Sequence, residues 1–417
     1  MNLYLFTDND SAAMYGIGTY LNELTHALDG SAIHIHIVHL HSHRPEFEIV
    51  KVNRVNHWYI PEVRNQNTFS GLVTKVEEYC RNVIYLLKLH INDTGDLVFH
   101  FNFNQYCLLA KGLKMLFNCK TVTTIHFMKW ALELQGNISR IHSIEKRPEN
   151  ERSDYEQILY KTDEYESLLY RESDRVIALS QYAQSLLYER YRINPDRITF
   201  IPNGLEDINP MSEFDRIALR RKWGLSLTET LIVFSGRICE VKGLIYLIKA
   251  FRRVVEKKSD CRLMIAGNGE FDRHMKECDG IWTNVTWTGL LDKDKLYELY
   301  SIADIGVLPS FHEQCSYVAI EMMRHALPII GSTSTGLKEM IVDGETGLHV
   351  PVIEHSDRTE FDSELLSEKI LFLMENPEER LFMGYNARKR YGNTYSIDIF
   401  RENMQKFYHS LLKSKNN

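Results

Sequence analysis

Short apolar and β-branched runs alternate with stretches of helical periodicity along the whole chain. This alternation predicts parallel sheets whose strands are joined by crossover helices. In the first half, the predicted strands are 2–7, 33–40, 96–102, 121–126, 175–180 and 198–201. In the second half, they are 231–235, 262–266, 285–288, 305–309, 328–331 and 347–350. The predicted fold class is therefore α/β.

The chain has 417 residues, and we expect two domains of about 200 residues each because one ordinary core is too small for it. Turn residues cluster between Gly204 and Trp223, and the strand–helix alternation restarts at Leu231. We place the first domain at residues 1–204 and the second at 205–395. The charge-dense segment 136–170 is predicted to be a loop followed by a long solvated helix. Residues 396–417 have helical spacing.

Composition narrows the function classes. Hydrophobic residues are 44% of the chain and charged residues 25%, as in soluble globular proteins. A net charge of -7 argues against a general nucleic-acid-binding protein. No apolar run reaches the length of about 18 residues that spans a bilayer, and the N-terminus lacks a signal-like pattern. The seven cysteines are scattered without a C-x-x-C pair, so we expect a reduced, cytoplasmic protein without a disulfide framework or a zinc site.

A glycine-flanked loop with two cations follows the predicted strand that ends at Ser235. Ligands of open parallel sheets bind beyond the carboxyl ends of the strands, where Arg237 and Lys242 lie. Gly236 and Gly243 let the backbone turn tightly around them. A guanidinium fork and an ammonium point charge both suit a diphosphate that gains negative charge as it leaves. On spacing alone, two solvated loop cations are an equally good interpretation.

Two glutamates eight positions apart flank the start of a predicted helix. Glu313 precedes the helix, and Glu321 lies in its second turn. We expect the backbone N–H groups of Ser316, Tyr317 and Val318 to point out of the helix N-terminus, which favours phosphate. Glu321 would lie roughly 7–8 Å further along the helix, within reach of ribose hydroxyls. Taken alone, Glu313 also fits an ordinary acid near a helix cap, and Glu321 a solvated helix residue.

These residues belong to an ordered series that resembles the family 4 retaining glycosyltransferases, whose GT-B architecture has two facing Rossmann-like domains. The resemblance runs along nearly the whole chain. Its motifs are Gly16-Ile-Gly18-Thr-Tyr20, His126, Ser180, Ile201-Pro-Asn203-Gly204, Arg237 with Lys242, Ala266-Gly-Asn-Gly269, Trp287-Thr-Gly289, Ala303-Asp304, Leu308-Pro-Ser310, Glu313 with Glu321, and Asp343-Gly-Glu-Thr-Gly347.

The resemblance implies roles for individual residues. Arg237 and Lys242 would clamp the diphosphate, Glu321 would bind the ribose, and Glu313 would contact hydroxyls of the donor sugar. His126 would line the sugar site near the reacting carbon. We therefore expect catalytic roles for His126, Arg237, Lys242 and Glu313, and donor binding by Gly16, Gly18, Gly236, Asn268, Ser316, Tyr317, Val318 and Glu321.

Further expectations follow from the same resemblance. The loop at Gly16–Gly18 would close over the pyrophosphate from the first domain, and the C-terminal helix would cross back to that domain. Transfer would need no metal ion and no cofactor. Two departures leave the identity of the donor open: Gln314-Cys315 replaces a Phe-Gly-like pair, and Thr335-Gly336 replaces a common Gly-Gly pair.

A run of histidines on the second predicted strand invites a metal interpretation. His34 and His36 share one face of this strand, whereas His39, His41 and His43 have the parity of the isoleucines. The alternation of side chains therefore does not bring all five histidines to one face. We interpret this run as a partly exposed strand at the edge of a sheet. We expect no metal site here.

The sequence as a whole predicts a retaining glycosyltransferase of glycan, glycoconjugate or polysaccharide biosynthesis. The donor would be a nucleotide-diphosphate sugar, UDP- or GDP-linked, and the acceptor a hydroxyl of a glycan, a lipid-linked sugar or a peptide. Four lysines between Leu97 and Leu132, without an acidic residue among them, fit either a solvated face or peripheral contact with the inner face of a membrane. Two alternatives stay open: a nucleotide-sugar epimerase or phosphorylase on the same fold, and a non-catalytic sugar-nucleotide-binding subunit.

Overall fold

A computed structural model of the chain describes residues 1–8, 16–62 and 72–413. The strands are β1 (Asn2–Asp8), β2 (His34–Ser42), β3 (Glu48–Val52), β4 (Val55–Pro61), β5 (Leu97–Phe101), β6 (Cys119–Ile125), β7 (Arg175–Ala178), β8 (Ile198–Phe200), β9 (Thr230–Ser235), β10 (Cys261–Ala266), β11 (Val285–Gly289), β12 (Ile305–Leu308), β13 (Ile329–Ser332), β14 (Gly347–Val350), β15 (Val352–Glu354) and β16 (Thr359–Phe361).

The helices are α1 (Gly16–Leu28), α2 (Leu72–His90), α3 (Cys107–Leu116), α4 (Lys129–Glu133), α5 (Ile138–Lys146), α6 (Asp154–Glu172), α7 (Gln181–Glu189), α8 (Glu213–Lys222), α9 (Leu244–Lys257), α10 (Phe271–Lys276), α11 (Lys293–Ile302), α12 (Tyr317–Arg324), α13 (Leu337–Met340), α14 (Ser363–Glu375), α15 (Pro377–Arg390) and α16 (Ile397–Lys413). The alternation of strands and helices and the parallel sheets confirm the predicted α/β class.

The chain divides into two compact units. The first unit comprises Met1–Lys129, Arg152–Asn203 and Ile397–Asn417, and the second comprises Trp130–Glu151 and Gly204–Ser396. The segment Trp130–Glu151, which the sequence placed in the first domain, has its contacts in the second unit. The side chain of Asn137 accounts for this difference, because its amide donates to the backbone oxygens of His355 and Arg358 at 2.7 and 2.9 Å.

The first unit is built on a sheet with the strand order β3-β4-β2-β1-β5-β6-β7-β8. All of its pairs are parallel except β3 with β4. The order reverses at β1 and β5, so these neighbouring strands flank the topological switch point of the sheet. Phe6, Phe99 and Phe101 on these strands are buried in the core between the sheet and helices α2 and α3.

The second unit contains an all-parallel sheet with the strand order β11-β10-β9-β12-β13-β14. Its switch point lies between β9 and β12. Both faces of such a sheet are covered, and strands β9 and β12 are accordingly almost fully buried. Helix α9 packs against the sheet through an apolar stripe of Leu244, Leu247 and Phe251. The loops that follow β9 and β12 therefore start next to each other, at the ends of two neighbouring, buried strands.

The C-terminal helix α16 belongs to the first unit, where it packs beside α1. A buried polar network joins it to the sheet: the Tyr408 hydroxyl and His100 Nδ1 are 2.7 Å apart, and His100 Nε2 lies 2.7 Å from Thr124 Oγ1. Tyr20 of α1 contacts the same threonine at 3.3 Å and packs edge-on against Phe400. Burial lowers the pKa of His100 to about 3, so its imidazole is neutral and bridges two hydroxyl groups.

The structure corrects the sequence prediction at several places. Strands β3 and β4 extend the first sheet, and β15 and β16 form a separate antiparallel pair; none of these was predicted. The expected loop at the start of 136–170 contains helix α5, capped by the Asn137 side chain. Helix α6 is only partly solvated, because Leu159, Leu169 and Tyr170 are buried. None of the described helices is long and apolar enough to cross a bilayer.

Candidate functional site

The loop after β9 is fixed against the loop after β12 through a glycine. Gly243 has a φ of 67°, and a Cβ atom there would lie 2.1 Å from the Pro309 carbonyl oxygen. The Phe311 amide donates to the Val241 carbonyl at 2.8 Å. No larger residue fits this close approach without moving the backbone, so Gly243 determines how the two loops meet.

Lys242 and Glu313 form an ion pair as a consequence of this loop contact. The Lys242 Nζ lies 2.5 Å from Glu313 Oε1, and the two side chains are 23% and 13% exposed. The pair spans the carboxyl ends of β9 and β12, at the switch point where open parallel sheets bind ligands. Arg237 lies on the same loop and is exposed to solvent. The structure thus brings two residues predicted to be catalytic into contact and places a third on the same loop as Lys242.

The backbone of Glu313 is held by the Thr335-Gly336 pair. Thr335 Oγ1 accepts from the Glu313 N–H at 2.9 Å and donates to the Glu313 carbonyl at 2.6 Å, while the Gly336 N–H donates to that carbonyl at 2.8 Å. Thr335 has a φ of 33°, a region that costs a residue with a Cβ atom some stability. The threonine that departs from the family pattern therefore contributes a hydroxyl that orients Glu313.

His312, directly before Glu313, is a buried histidine that the sequence interpretation missed. It is 3% exposed, and neither ring nitrogen has a hydrogen-bond partner among the described residues. Burial lowers the pKa of His312 to about 4, so the ring is neutral and holds one N–H donor and one acceptor. A buried polar group of this kind usually has a partner, and a bound ligand can supply one. Its adjacency to Glu313 is the only signal in the sequence.

Glu321 is more deeply buried than a ribose-binding residue on an open helix face would be. It is 6% exposed, and its Oε2 accepts from the Tyr300 hydroxyl at 3.2 Å. Tyr300 also hydrogen-bonds to Ser235 at the end of β9, so one buried tyrosine of α11 joins strand β9 to helix α12. Burial raises the pKa of Glu321 to about 7. The sequence interpretation missed Tyr300, because a tyrosine on the buried face of a helix has no distinguishing local pattern.

The N-terminus of α12 is only partly available for an anion. Ser316 is the N-cap, and its side chain accepts from the Ala319 N–H at 3.4 Å. The Ser316 N–H, expected to be free, instead donates to the Met340 sulfur at 3.2 Å, so that expectation was wrong. Tyr317 and Val318 are the first residues of the helix, where N–H groups lack intrahelical acceptors. Tyr317 is buried and Val318 is partly exposed.

Gly236 and Asn268 shape the loops beside Arg237. Gly236 has a φ of 142°, and a Cβ atom on Gly267 would lie 1.9 Å from its carbonyl oxygen. The Asn268 side-chain oxygen accepts from the Gly269 N–H at 2.8 Å, and its backbone oxygen accepts from the Ile238 N–H at 2.8 Å. Asn268 is exposed. These residues hold the loops after β9 and β10 close together.

Three residues predicted to be functional lie in the first unit. Gly16 and Gly18 form the first turn of α1 in the described part of the chain, rather than a loop; residues 9–15 before them lie outside that part. His126 follows β6 and is partly exposed. Its Nε2 lies 3.0 Å from Asn102 Oδ1, and its ring packs edge-on against Tyr20. Burial lowers the pKa of His126 to about 3, so it serves as a neutral donor and acceptor.

Metal ligands are not grouped in the part of the chain that the structure describes: no three His, Cys, Asp or Glu side chains lie together as a metal would require. The histidines of β2 pair with different neighbours. His36 accepts from the Trp58 indole N–H at 3.2 Å, His39 lies 3.0 Å from His57, and His41 contacts Asp8.

Curated proteins similar to this chain are glycosyltransferases. A glycosyltransferase from Methanocaldococcus jannaschii, described as uncharacterized, is 32% identical over 186 residues, which are 43% of this chain and 47% of that protein. The alpha-D-kanosaminyltransferase of Streptomyces kanamyceticus is 27% identical over 203 residues, or 48% of this chain and 50% of that protein. The capsular polysaccharide biosynthesis glycosyltransferase CapM of Staphylococcus aureus is 26% identical over 243 residues, or 57% and 62%. The chain thus spans about half the length of the curated relatives it matches.

Solved structures match nearly the whole chain. Sucrose-phosphate synthase from Thermosynechococcus elongatus has a TM-score of 0.76 at 19% identity and covers 99% of both chains. Anabaena HepE in complex with UDP and glucose has a TM-score of 0.71 at 15% identity and covers 98% of this chain and 100% of that one. At such low identity the likeness shows the GT-B fold alone.

The family assignment rests on matches to both halves of the chain. The glycosyl transferases group 1 model matches residues 215–390, and the glycosyltransferase family 4 model matches residues 14–207. The two matches follow the order of the two units and together cover most of the sequence. The chain belongs to the family 4 glycosyltransferases.

Proposed function

We propose that this protein is a retaining glycosyltransferase that moves a sugar from a nucleotide-diphosphate donor to an acceptor hydroxyl, without a metal ion or other cofactor. The observation that carries the proposal is the Lys242–Glu313 pair at the switch point of the second sheet. In this proposal Lys242 binds the leaving phosphate, and Glu313 accepts hydrogen bonds from sugar hydroxyls. Family membership and the functions of the similar glycosyltransferases support the same reaction class.

The positive charge for the leaving group comes from the protein. Arg237 and Lys242 lie on one loop, and the N–H groups of Tyr317 and Val318 begin helix α12 after Glu313. Donors aimed at a departing diphosphate stabilise the charge it gains, and they act most strongly where water is excluded. In this proposal Gly236 and Asn268 hold the loop in place, and Ser316 caps the helix rather than binding phosphate through its amide.

The donor sugar is bound beside Glu313 in this proposal. The carboxylate accepts hydrogen bonds from sugar hydroxyls, and Thr335 keeps its backbone in place. The neutral His312 ring supplies one further donor and one acceptor next to it. Glu321 binds the ribose, a role that needs its carboxylate to exchange the Tyr300 contact for a ribose hydroxyl or to accept both.

The reaction is a same-face substitution in this proposal. The bond between the sugar C1 and the diphosphate oxygen breaks, and a bond between C1 and the acceptor oxygen forms on the same face. The acceptor proton passes to an oxygen of the leaving diphosphate, so both charge and atoms balance. No carboxylate is assigned as a covalent nucleophile. The family resemblance assigns His126 to the sugar site near the reacting carbon, as a neutral hydrogen-bonding group, and Gly16 and Gly18 to pyrophosphate binding.

The donor base is either uracil or guanine. HepE was solved with UDP-glucose, and a Corynebacterium glutamicum relative, 27% identical over 243 residues, is a GDP-mannose-dependent mannosyltransferase. The acceptor is a hydroxyl of a glycan, a lipid-linked sugar or a peptide in glycan or glycoconjugate biosynthesis. CapM is a glycosyltransferase of capsular polysaccharide biosynthesis, which supports a polysaccharide setting.

The test is nucleotide release from a panel of UDP- and GDP-sugars, measured in EDTA with and without a panel of acceptor glycosides. We expect one donor to release its nucleotide diphosphate only when an acceptor is present. An epimerase would change the sugar without releasing nucleotide, and a phosphorylase would release sugar phosphate only when phosphate is added. If the protein binds no nucleotide at all, it is a non-catalytic subunit and not a transferase.

The matched variants are Lys242→Ala and Lys249→Ala. Lys249 is exposed on α9 of the same unit, so its loss removes an equal charge without touching the proposed site. We expect Lys242→Ala to abolish acceptor-dependent release while leaving the fold intact, and Lys249→Ala to retain it. Equal activity of the two variants would remove Lys242 from the reaction.

A further inference from the structure

Three polar side chains meet at the switch point of the first sheet, on residues that the proposed reaction does not use. Asp8 ends β1, and its Oδ1 lies 2.8 Å from His41 Nδ1. Gln105, beyond the end of β5, donates from its side-chain nitrogen to Asp8 Oδ2 at 2.5 Å. We name this set the Asp8–His41–Gln105 cluster. It occupies the crevice between neighbouring strands that open parallel sheets use for ligands.

The backbone at His41 is turned so that the ring reaches this cluster. Strict alternation would place His41 on the same face of β2 as His39. The pairing of β2 with β4 shifts between His39 and Ser42, and His41 has a φ of 48°. Register irregularities near strand ends re-aim side chains, and backbone of this conformation persists where its surroundings hold it. The histidine parity expected from the sequence is therefore wrong at this position.

Two tyrosine side chains pack against the His41 ring and hold it toward the cluster. The rings of His41 and Tyr79 stack with centroids 4.0 Å apart, and Tyr106 lies further along at 6.4 Å. The backbone N–H of His41 donates to the Tyr79 hydroxyl at 2.6 Å. Tyr79 and Tyr106 are 6% and 2% exposed. Because two buried tyrosines pack against the His41 ring, its side chain is already ordered, and binding a ligand costs it little side-chain entropy.

The chemistry of the cluster selects a neutral, hydroxyl-bearing ligand. A carboxylate oxygen accepts hydrogen bonds, so His41 donates to Asp8 from Nδ1, and Nε2 is left for a ligand. No hydrogen bond occupies Nε2 among the described residues, and the side chain is 32% exposed. Neither lysine nor arginine is joined to Asp8, His41 or Gln105 by a hydrogen bond or ion pair in the described part of the chain. The carboxylate disfavours an anionic ligand.

We propose that the Asp8–His41–Gln105 cluster binds a hydroxyl of the acceptor sugar, which hydrogen-bonds to His41 Nε2. This inference rests on the proposed transferase function and assigns acceptor recognition to particular residues. His41 is a binding residue here and takes no part in breaking the donor bond. The partly exposed His41 ring, stacked on Tyr79, favours an acceptor that is itself a sugar, because the C–H face of a sugar packs on such a ring.

The test measures equilibrium binding rather than transfer. The probes are the methyl glycosides of glucose, mannose, galactose and N-acetylglucosamine, each titrated in the presence of UDP or GDP and followed by saturation-transfer NMR. The variants are Asp8→Asn and His41→Asn, the latter because asparagine also tolerates a positive φ. The control is His34→Asn, an exposed histidine at the opposite end of the same strand.

We expect wild-type protein to bind at least one of these glycosides, and both cluster variants to weaken that binding by about tenfold or more, as the loss of a charge-supported hydrogen bond predicts. His34→Asn should bind as wild type does. The proposal is overturned if wild-type protein binds none of the glycosides, or if His41→Asn and His34→Asn bind alike. Tighter binding of glucose 6-phosphate than of methyl glucoside would overturn the ligand class.

Failure of the proposed function has a different signature. Wild-type protein that binds a glycoside at this cluster, but releases no nucleotide from any donor, would refute transfer and leave the cluster as a sugar-binding site. Acceptor-dependent release that is unaffected by Asp8→Asn and His41→Asn would support transfer and refute the cluster.

Discussion

Replacing Glu321 with glutamine should stabilise the second unit at alkaline pH and leave its stability nearly unchanged at about pH 4. The carboxyl group is buried, and burial raises its pKa from 4.5 to about 7. Between these two values the folded protein holds a proton that the unfolded chain has released. Stability is therefore fully present below about pH 4.5 and is lost as the pH rises through about 7.

The magnitude follows from the pKa. At ~1.4 kcal/mol for each pKa unit, the cost of ionising Glu321 in the folded state is about 3 kcal/mol. Glutamine has nearly the same shape and still offers an oxygen to the Tyr300 hydroxyl, but it carries no charge. The free energy of unfolding of Glu321→Gln should thus exceed that of wild type by up to about 3 kcal/mol at about pH 8.5.

The assay is urea unfolding at both pH values, followed by tryptophan fluorescence. Four of the five tryptophans, at positions 130, 223, 282 and 287, lie in the second unit, so the signal reports mainly on the unit that holds Glu321. The control is Glu368→Gln, an exposed glutamate on α14. A difference between Glu321→Gln and wild type that is equal at both pH values would refute the reasoning.

The same variant separates a structural role of Glu321 from a nucleotide-binding role. If Glu321 binds the ribose, the stabilised variant should bind UDP or GDP about tenfold more weakly, because an amide accepts hydrogen bonds less strongly than a carboxylate. Higher stability with unchanged nucleotide affinity would assign Glu321 to the Tyr300 contact alone.

The remaining predictions concern three other contacts. Thr335→Val preserves the side-chain shape but removes the hydroxyl that holds Glu313, so kcat should fall about tenfold in the nucleotide-release assay, whereas Thr335→Ser should stay within about twofold; equal activity of the two variants would contradict this role. Tyr408→Phe leaves His100 Nδ1 without its partner and should lower the free energy of unfolding by about 1–3 kcal/mol in urea titrations, while Tyr85→Phe, on the exposed face of α2, should not. His126 has a pKa of about 3, so its ring should remain neutral down to about pH 4 in a ¹⁵N NMR titration; protonation near pH 6.5 would show that burial is not the controlling factor.

Much of the fold was predictable because its signals are local. Buried parallel strands appear as short apolar runs, and each of the twelve predicted strands overlaps a strand of the structure. The α/β class and the place of the cationic loop after β9 follow from this pattern. Strand β3 was missed because it is exposed along nearly its whole length, and strand β4 because Asn56 and His57 leave only the short apolar run Trp58-Tyr59-Ile60.

Sequence motifs predicted individual residues of the candidate site but not the contacts between them. The Lys242–Glu313 contact requires the close approach at Gly243, which no spacing along the chain reveals. Tyr300 and His312 stand out only because their side chains are buried, and burial depends on elements that are far apart in sequence. His41 was assigned to the wrong face because alternation assumes a regular strand, whereas a register shift and a positive φ turn this residue toward Asp8.

The most direct test of the proposed function is the stereochemistry of the first product. Wild-type protein is incubated in EDTA with an α-linked UDP- or GDP-sugar and its acceptor, and the anomeric signal of the new bond is read by ¹H NMR before equilibration. The same-face mechanism predicts an α-linked product together with one free nucleotide diphosphate for each sugar transferred. A β-linked product, or transfer that requires an added divalent metal, would contradict it.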